Sequence, residues 1–238
     1  MTVTEVTAII PVFNDRKSLE IAIPTSIKTL SEITPAFEIL IAEDGSSDGS
    51  AELVTGYKKQ DPRINLLHSD ERQGRGRALN RAIREARGNI VCYYDVDLAT
   101  DMRHLQELIA AIRQGYDIST GSRLLPDSNI VRTGGREIAS RFYNLLVRTI
   151  LGSSVIDHQC GFKAFNRERI LTILPAIRDN HWFWDTEILV RAQKRGCRVR
   201  EFPVQWRAGK GTTVRPKDVF AMGSAIMRLW WQIHVSKD

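Results

Sequence analysis

Apolar runs alternate with amphipathic segments along the first half of the chain. Short runs rich in Val, Ile and Leu are each followed by a stretch whose apolar residues recur every three or four positions. Such runs are typical of buried strands, and the longer period is typical of helices that pack on one face. The predicted strands are "VTAIIPVFN", "FEILIA", "INLLHS", "NIVCYYDVD" and "YDISTGSR".

Strands and helices that alternate in this way predict an α/β fold, Rossmann-like, with a mostly parallel sheet and helices on both faces. Sheets of this kind bind ligands outside the carboxyl ends of their strands. Polar motifs follow three of the predicted strands, at residues 43–50, 95–101 and 121–123. We therefore expect the active site at that edge of the sheet.

The alternation weakens beyond residue 122. "LLPDSNIVRTGGRE" predicts a loop, "IASRFYNLLVRTILG" an amphipathic helix, "DHQCGFKAFNRE" a compact turn and "RVREFPVQW" a late strand. The terminal stretch predicts a helix that carries Trp230 and Trp231. This helix either closes the core or lies at a membrane interface, where Trp and basic residues are favoured. No repeat or low-complexity linker interrupts the chain, so residues 1–238 are interpreted as one domain.

Composition narrows the setting of the protein. The 238 residues carry a net charge of +6, which favours an anionic partner. Three widely spaced cysteines fit neither a disulfide framework nor a zinc cluster. No secretory signal is recognisable, and no apolar run reaches the roughly 18 residues of a membrane-spanning helix. We expect a cytoplasmic protein, and no nucleic-acid partner, because an aromatic and basic recognition motif is missing.

Asp95 and Asp97 follow an apolar run two residues apart. Two neighbouring carboxylates repel each other unless a cation neutralises them, and Mg²⁺ prefers such oxygen ligands. The alternative is that these residues cap a turn and the next helix. The Gly and Ser residues of "EDGSSDGS" fit a strand-to-helix turn with Asp48 or Ser47 as the cap, and the alternative is that Asp44 accepts hydrogen bonds from a nucleobase or ribose. Two other nucleotide signatures fail, because "GRGRAL" lacks the third Rossmann glycine and "GKGTT" lacks the first glycine of a phosphate loop.

The chain contains, in this order, the segments "PVFND", "EDGSSDGS", "GRGRALN", "YYDVDLATD" and "GSR". This ordered set resembles the family 2 glycosyltransferases with the glycosyltransferase A-type fold. The later segments are "REIASRFYN", "DHQCGFKAFNRE", "WFWDTEILVRAQKRG" and "FPVQW". They narrow the resemblance to the dolichyl-phosphate glucose and dolichyl-phosphate mannose synthases. The resemblance implies inverting, metal-dependent transfer of a hexose from a nucleoside-diphosphate sugar to a polyprenyl phosphate. "DVDLAT" and "WFWDTEIL" favour UDP-glucose over GDP-mannose as the donor.

The resemblance also implies roles for particular residues. Residues 1–123 form the nucleotide-sugar half, residues 124–215 the acceptor half and residues 216–238 the terminal helix. The base and ribose contact Pro11, Val12 and Asp44. Asp95 and Asp97 hold Mg²⁺ or Mn²⁺, and Asp95 serves the ribose or the metal. The acceptor phosphate contacts Arg123 and Arg136, with Arg132, Arg141 and Lys163 as weaker candidates.

Two further residues have open roles. The Asp185 carboxylate either recognises sugar hydroxyls or is there because acidic residues are favoured at the start of a helix. Asp185 and Glu187 lie two residues apart on a helix, so only one of them is expected to face the site. His158 receives no catalytic role. The protein would reach its lipid as a peripheral protein at the cytoplasmic face or through a membrane partner. The alternatives are a glycan or other soluble acceptor, and a non-catalytic protein that binds sugar nucleotides.

Overall fold

A computed structural model describes residues 3–131, 134–207 and 216–235, with the backbone alone for residues 134–136 and 216–220. The strands in this part of the chain are β1 (Val6–Val12), β2 (Phe37–Glu43), β3 (Ile64–Leu67), β4 (Ile90–Tyr94), β5 (Ile118–Ser122), β6 (Asn129–Val131), β7 (Phe162–Asn166), β8 (Val199–Pro203) and β9 (Gln205–Arg207). The helices are α1 (Arg16–Ile33), α2 (Ser50–Gln60), α3 (Arg75–Glu85), α4 (Leu105–Arg113), α5 (Gly134–Leu151), α6 (Arg167–Ile173), α7 (Trp184–Lys194) and α8 (Pro216–His234). Two short 3₁₀ helices span Met102–His104 and Leu174–Ala176.

The central sheet has seven strands in the order β3-β2-β1-β4-β7-β5-β8. The pairs among β1, β2, β3 and β4 are parallel, as is β5 with β8. A second, two-stranded sheet pairs β6 with β9 in parallel. The α/β fold with a mostly parallel sheet is therefore confirmed, and the carboxyl ends of β1, β2, β4 and β5 share one edge.

Strand β7 is the main departure from the sequence prediction. The segment predicted as a compact turn contains β7, which runs antiparallel between β4 and β5. Four of its five residues are buried, but Lys163 interrupts its apolar pattern. The prediction of a loop around residue 129 is also wrong, because β6 forms there. Both strands are short, and β6 carries two exposed residues out of three, so neither has the periodicity that identifies a strand.

Apolar packing covers both faces of the sheet. Helices α1 and α4 pack on one face through residues such as Leu19, Ile23 and Leu108. Helices α3, α6 and α7 pack on the other through Leu79, Ile170 and Ile188. A third cluster lies between α5, α7 and α8. Pro24 lies inside α1 without ending it.

Candidate active site

Asp95 lies at the centre of the shared edge, immediately after β4. Its backbone N–H donates to the carbonyl of Gly161, 3.2 Å away, in the segment that leads into β7. A Cβ on Gly161 would overlap the Asp95 carboxylate, so glycine leaves room for the carboxylate in this orientation. The antiparallel insertion of β7 therefore lies against Asp95, at the edge of the sheet that we call the cleft. The sequence prediction of a site at this edge agrees with where these groups lie.

Asp97 stands in the turn that follows β4, not on the strand as the sequence predicted. Its carboxylate accepts the N–H of Ala99 at 3.1 Å and remains exposed to solvent. Partial removal from water, together with the charges of Asp95 and Asp15, raises the pKa of Asp97. Repulsion among carboxylates is the electrostatic environment that a divalent cation relieves. The donor set thus fits a hard cation such as Mg²⁺ or Mn²⁺.

Within the described residues, no group of three or more His, Cys, Asp or Glu side chains gathers in a metal-binding arrangement. A cation held by Asp95 and Asp97 would therefore need oxygen ligands from water and from the substrate. Divalent ions in sites that handle phosphates are commonly bound in this way, through one or two carboxylates and the phosphate groups.

Arg75 is a central group of the site that the sequence reasoning missed. It is the first residue of α3, and its Nη2 donates to Oδ1 of Asp95 at 2.9 Å. Its Nη1 donates to Oδ2 of Asp185 at 2.6 Å. The guanidinium also lies over the rings of Tyr93 and Trp182, 5.3 and 5.8 Å from their centroids. One arginine thus joins the two carboxylates across the cleft.

Asp185, the second residue of α7, lies behind Arg75 and is buried. Its Oδ1 accepts the hydroxyl of Tyr93 and the ammonium of Lys163, the latter at 3.0 Å. Burial alone would raise the pKa of this carboxyl, but Arg75 and Lys163 hold it below its ordinary value. In this arrangement Asp185 accepts hydrogen bonds from three protein groups. It therefore positions Arg75, whereas the sequence favoured contact with sugar hydroxyls.

Lys163 does not reach the cleft. Its side chain is fully buried, and its ammonium donates to the carbonyls of His158 and Cys160 as well as to Asp185. The predicted contact between Lys163 and an acceptor phosphate is corrected accordingly. The chain of alternating charges runs from Lys163 through Asp185 and Arg75 to Asp95, and it connects the interior of the sheet with the cleft.

Asp44 follows β2 and fixes the start of α3. Its two carboxylate oxygens accept the backbone N–H groups of Gln73 and Gly74 at 2.9 and 2.8 Å. Gly74 has a φ of 105°, a left-handed conformation that favours glycine. Asp44 thereby sets the position of Arg75. Its own N–H donates to the carbonyl of Val12, so β1 and β2 are joined where the base and ribose were predicted, next to Pro11.

Arg123 is held by a buried carboxylate. Its Nε and Nη2 donate to Asp157 at 2.8 and 2.9 Å, and its backbone N–H donates to the same side chain. Burial opposes ionisation of Asp157, but Arg123 lowers its pKa to about 2. Within the described part of the chain, the Nη1 group of Arg123 makes no hydrogen bond. The guanidinium lies over the ring of Trp206, 5.6 Å from its centroid.

The structure places the other predicted arginines as follows. Arg132 lies outside the described residues. Arg136 lies in the first turn of α5, where only the backbone is described. Arg141 is exposed on α5 and forms an ion pair with Glu137 at 2.9 Å. Contact of any of these groups with an acceptor phosphate remains a prediction.

Two polar residues near the site are structural. The Glu187 carboxylate accepts the N–H groups of Arg178 and Asp179 and pairs with Arg191, whereas the Asp185 carboxylate contacts Arg75. His158 is fully buried and contacts Ser153 and Asn144. Burial lowers its pKa to about 3, so it is neutral at physiological pH. This agrees with assigning it no catalytic role.

A parallel sheet with paired carboxylates at its carboxyl edge is an arrangement suited to nucleotide-linked substrates. Comparison of the sequence with known families shows which family of proteins this chain belongs to. Residues 7–173 match the family described as Glycosyl transferase family 2. The chain belongs to this family.

Relatives extend the similarity along nearly the whole chain. Glycosyltransferase AglD from Haloferax volcanii is 48% identical over 235 residues, which cover 97% of this chain and 38% of AglD. A dolichyl-phosphate beta-glucosyltransferase from Dictyostelium discoideum is 33% identical over 222 residues, covering 87% of this chain and 68% of that protein. This chain therefore spans well under half the length of AglD and about two thirds of the second relative.

Solved structures share the fold at low sequence identity. Glucosyl-3-phosphoglycerate synthase from Mycobacterium tuberculosis, in complex with Mn²⁺, UDP and its product, aligns with a TM-score of 0.67 at 17% identity, covering 96% of this chain and 79% of that one. The mannosyltransferase PcManGT from Pyrobaculum calidifontis, with GDP-mannose and Mn²⁺, aligns with a TM-score of 0.65 at 19% identity, covering 100% of this chain and 66% of that one. Both confirm the glycosyltransferase A-type fold.

Proposed function

We propose that this chain transfers a hexose, with inversion, from a nucleoside-diphosphate sugar to a polyprenyl phosphate such as dolichyl phosphate. UDP-glucose is the favoured donor and GDP-mannose the next. The observation that carries the proposal is the cluster of Asp95, Asp97 and Arg75 at the carboxyl edge of the sheet. Similarity to the dolichyl-phosphate beta-glucosyltransferase of Dictyostelium discoideum supports the choice of acceptor and sugar.

In the reaction, an oxygen of the acceptor phosphate attacks the anomeric carbon of the sugar. The bond from that carbon to the donor diphosphate breaks, and the nucleoside diphosphate leaves with the electron pair. A phosphate monoester has its second pKa near ~6, so the attacking oxygen is already anionic and needs little help from a general base. The main requirement on the protein is therefore to hold two anionic substrates side by side.

Charge on the leaving diphosphate is the first problem that the site must solve. Asp95 and Asp97 would hold a divalent cation, Mg²⁺ or Mn²⁺, which would supply Lewis-acid stabilisation of that charge. Arg75 adds a second, permanent positive charge next to Asp95. Because Asp185 holds the other end of its guanidinium, Arg75 is fixed before the substrate arrives, as electrostatic stabilisation requires.

The acceptor phosphate is the second anion. Arg123 presents Nη1 while Asp157 holds its other two donor groups, so the orientation of the guanidinium is fixed in advance. Arginine is suited to phosphate because its planar fork matches the oxygens. Arg136, at the start of α5, is the second proposed contact. Pro11 and Val12 would line the base and ribose, close to the loop that Asp44 holds.

A panel of donors and acceptors tests this proposal. Labelled UDP-glucose and GDP-mannose would be offered separately with dolichyl phosphate, a soluble glycan or no acceptor. We expect label in the lipid phase, with UDP-glucose giving the higher kcat/KM. Arg136→Ala should raise the KM for dolichyl phosphate, whereas Arg113→Ala, an exposed arginine of α4 that pairs with Glu5 ahead of β1, serves as its matched control. Efficient transfer to the glycan, or donor binding without any transfer, would contradict the proposed acceptor or the proposed catalysis, respectively.

A further inference from the structure

The turn that carries Asp97 has an unusual backbone. Leu98, the next residue, has a φ of 49°, in the left-handed region that side chains rarely adopt. Such a conformation persists where the surrounding structure holds it in place. Val96 and Leu98, on either side of Asp97, are half-buried and pack against the apolar cluster under α1 and α4. The direction of the Asp97 carboxylate therefore depends on the contacts that hold this turn.

Strand β9 runs antiparallel to residues 99–101, which directly follow the turn. The backbone N–H of Arg207 donates to the carbonyl of Ala99 at 2.9 Å. A second hydrogen bond, 3.0 Å long, joins the carbonyl of Gln205 to the N–H two residues further along that segment. Between these two bonds, Trp206 forms a β-bridge with the middle residue of the segment. The backbone of β9 therefore fixes the end of the turn that carries the carboxylate.

The side chain of Trp206 contacts Arg123. Its ring is half-buried and packs against the same apolar cluster as the turn. The guanidinium of Arg123 lies over the ring, 5.6 Å from its centroid, which is a favourable cation–π distance. Asp157 holds the Nε and Nη2 groups of this guanidinium, at 2.8 and 2.9 Å. The carboxylate thus fixes Arg123 at its edge, and the ring of Trp206 supports one of its faces.

Strand β9 also pairs with the chain that follows Arg123. That chain leads into β6, which lies parallel to β9 with Ile130 opposite Trp206. β9 therefore lies between the segment after Arg123 and the segment after Asp97. Trp206 contacts both sides, because its backbone pairs with the metal-site segment while its ring lies under the arginine.

We propose that Trp206 is a positioning residue that sets the separation between the metal site and the acceptor phosphate. This inference rests on the proposed function, in which Asp95 and Asp97 hold a divalent cation and Arg123 contacts the phosphate. Transfer requires the attacking oxygen and the anomeric carbon to meet at about 3–3.5 Å, so the two sites must keep a fixed separation. The ring of Trp206, anchored in the apolar cluster, holds Arg123 and keeps β9 against the turn of Asp97.

Initial rates give the first test, with UDP-glucose and Mn²⁺ held constant. The acceptor is a short-chain, water-soluble polyprenyl phosphate, which keeps membrane binding out of the measurement. No helix in the described part of the chain is long and apolar enough to span a membrane. We expect Trp206→Leu to raise the KM for this acceptor about fivefold, as the loss of one cation–π contact implies, and Trp206→Phe to restore it. A loss of folded protein would lower kcat and leave this KM unchanged.

Tyr116→Leu is the matched control for these variants. Tyr116 is also half-buried, and the guanidinium of Arg198 lies 5.3 Å from the centroid of its ring. It precedes β5, at the opposite end of that strand from Arg123. We expect its removal to leave the KM unchanged. An equal rise in KM would assign the effect to lost packing between arginine and ring in general and would overturn the inference.

Calorimetric titration of Mn²⁺ in the presence of UDP, without acceptor, gives the second test. We expect Trp206→Leu to weaken Mn²⁺ binding about tenfold, as the loss of an outer support of a metal site typically does, and Trp206→Phe to restore it. Unchanged Mn²⁺ affinity or unchanged acceptor KM in folded Trp206→Leu would overturn the inference. Trp206→Met, which fills more of the space of the indole, replaces Trp206→Leu if that variant does not fold.

The titration also separates this inference from the proposed function, because it requires no turnover. Wild-type protein that binds Mn²⁺ but transfers nothing to the polyprenyl phosphate would contradict the proposed function. The Mn²⁺ affinity of Trp206→Leu would then still decide whether Trp206 positions the turn. Wild-type protein that binds no Mn²⁺ in the presence of UDP would overturn both.

Discussion

Neutralising Asp185 tests whether the buried charges behind the cleft form one energetic unit. Lys163 has no solvent contact, and Asp185 is the carboxylate that its ammonium contacts, at 3.0 Å. Asp185 is also the inner partner of Arg75, at 2.6 Å. The change Asp185→Asn keeps the size of the side chain but removes its charge. Lys163 would then keep only the carbonyls of His158 and Cys160 as partners.

The size of the effect follows from these contacts. Removing one partner of a buried ion pair typically costs about 3–5 kcal/mol. Arg75 keeps Asp95 as a second partner at 2.9 Å, and the two carbonyls still accept from Lys163. We therefore expect a loss near the lower limit, about 3 kcal/mol in the free energy of unfolding. That is a large fraction of the stability of an ordinary domain.

A double-mutant cycle measures the coupling. Urea unfolding would be recorded for wild type, Asp185→Asn, Lys163→Met and the double variant. Lys163→Met leaves Asp185 with Arg75 and Tyr93, so it should cost less than Asp185→Asn. The double variant should be more stable than the sum of the single effects predicts, by about 1.5 kcal/mol or more, because no unpaired ammonium remains. Effects that add to within about 0.5 kcal/mol would refute the reasoning.

Three further predictions concern single residues. Asp97→Asn should lower turnover about a hundredfold or more. The free energy of unfolding should stay within about 0.5 kcal/mol of the wild-type value, because this exposed carboxylate is repelled by Asp95. A variant that is destabilised in urea unfolding would contradict this. Arg75→Lys should lower kcat about tenfold or more in initial-rate assays, since one ammonium cannot replace a fork that bridges two carboxylates, and unchanged kcat would exclude that role. His158 has a pKa lowered from 6.5 to about 3, so the stability it contributes is complete above pH 6.5 and falls as the pH decreases below that value. The free energy of unfolding should therefore fall by about 1.4 kcal/mol for each pH unit below pH 6.5. Urea unfolding across this pH range should show a flatter dependence on pH for His158→Gln. An unchanged dependence would mean that His158 is not the group responsible.

Local pattern was sufficient to predict the parallel part of the sheet and the edge where the site lies. Strands β1, β2 and β4 are wholly or almost wholly buried, so their sequences are continuous apolar runs, and the polar residues after them are conspicuous. Asp95 and Asp97 could be proposed for this reason, and the resemblance to family 2 glycosyltransferases gave them a role.

Contacts between residues distant in sequence could not be predicted in the same way. The bridge from Arg75 to Asp185 joins residues 110 positions apart, and it forms because α3 and α7 pack on the same face of the sheet. Lys163 was proposed as a weaker candidate for contact with the acceptor phosphate. On β7 its side chain instead points into the protein and meets Asp185. The basic segment that contains Arg75 was recognisable, but its partner was not.

We propose that the edge carrying Asp95 and Asp97 performs metal-dependent transfer to a lipid phosphate. A single-turnover reaction with labelled UDP-glucose, dolichyl phosphate and Mn²⁺, run with and without a chelator, tests this claim most directly. Asp97→Asn would be run beside the wild type under the same conditions. We expect labelled glycolipid from the wild type in the presence of Mn²⁺, and almost none with the chelator or with the variant. Equal yields of labelled lipid in all of these reactions would contradict it.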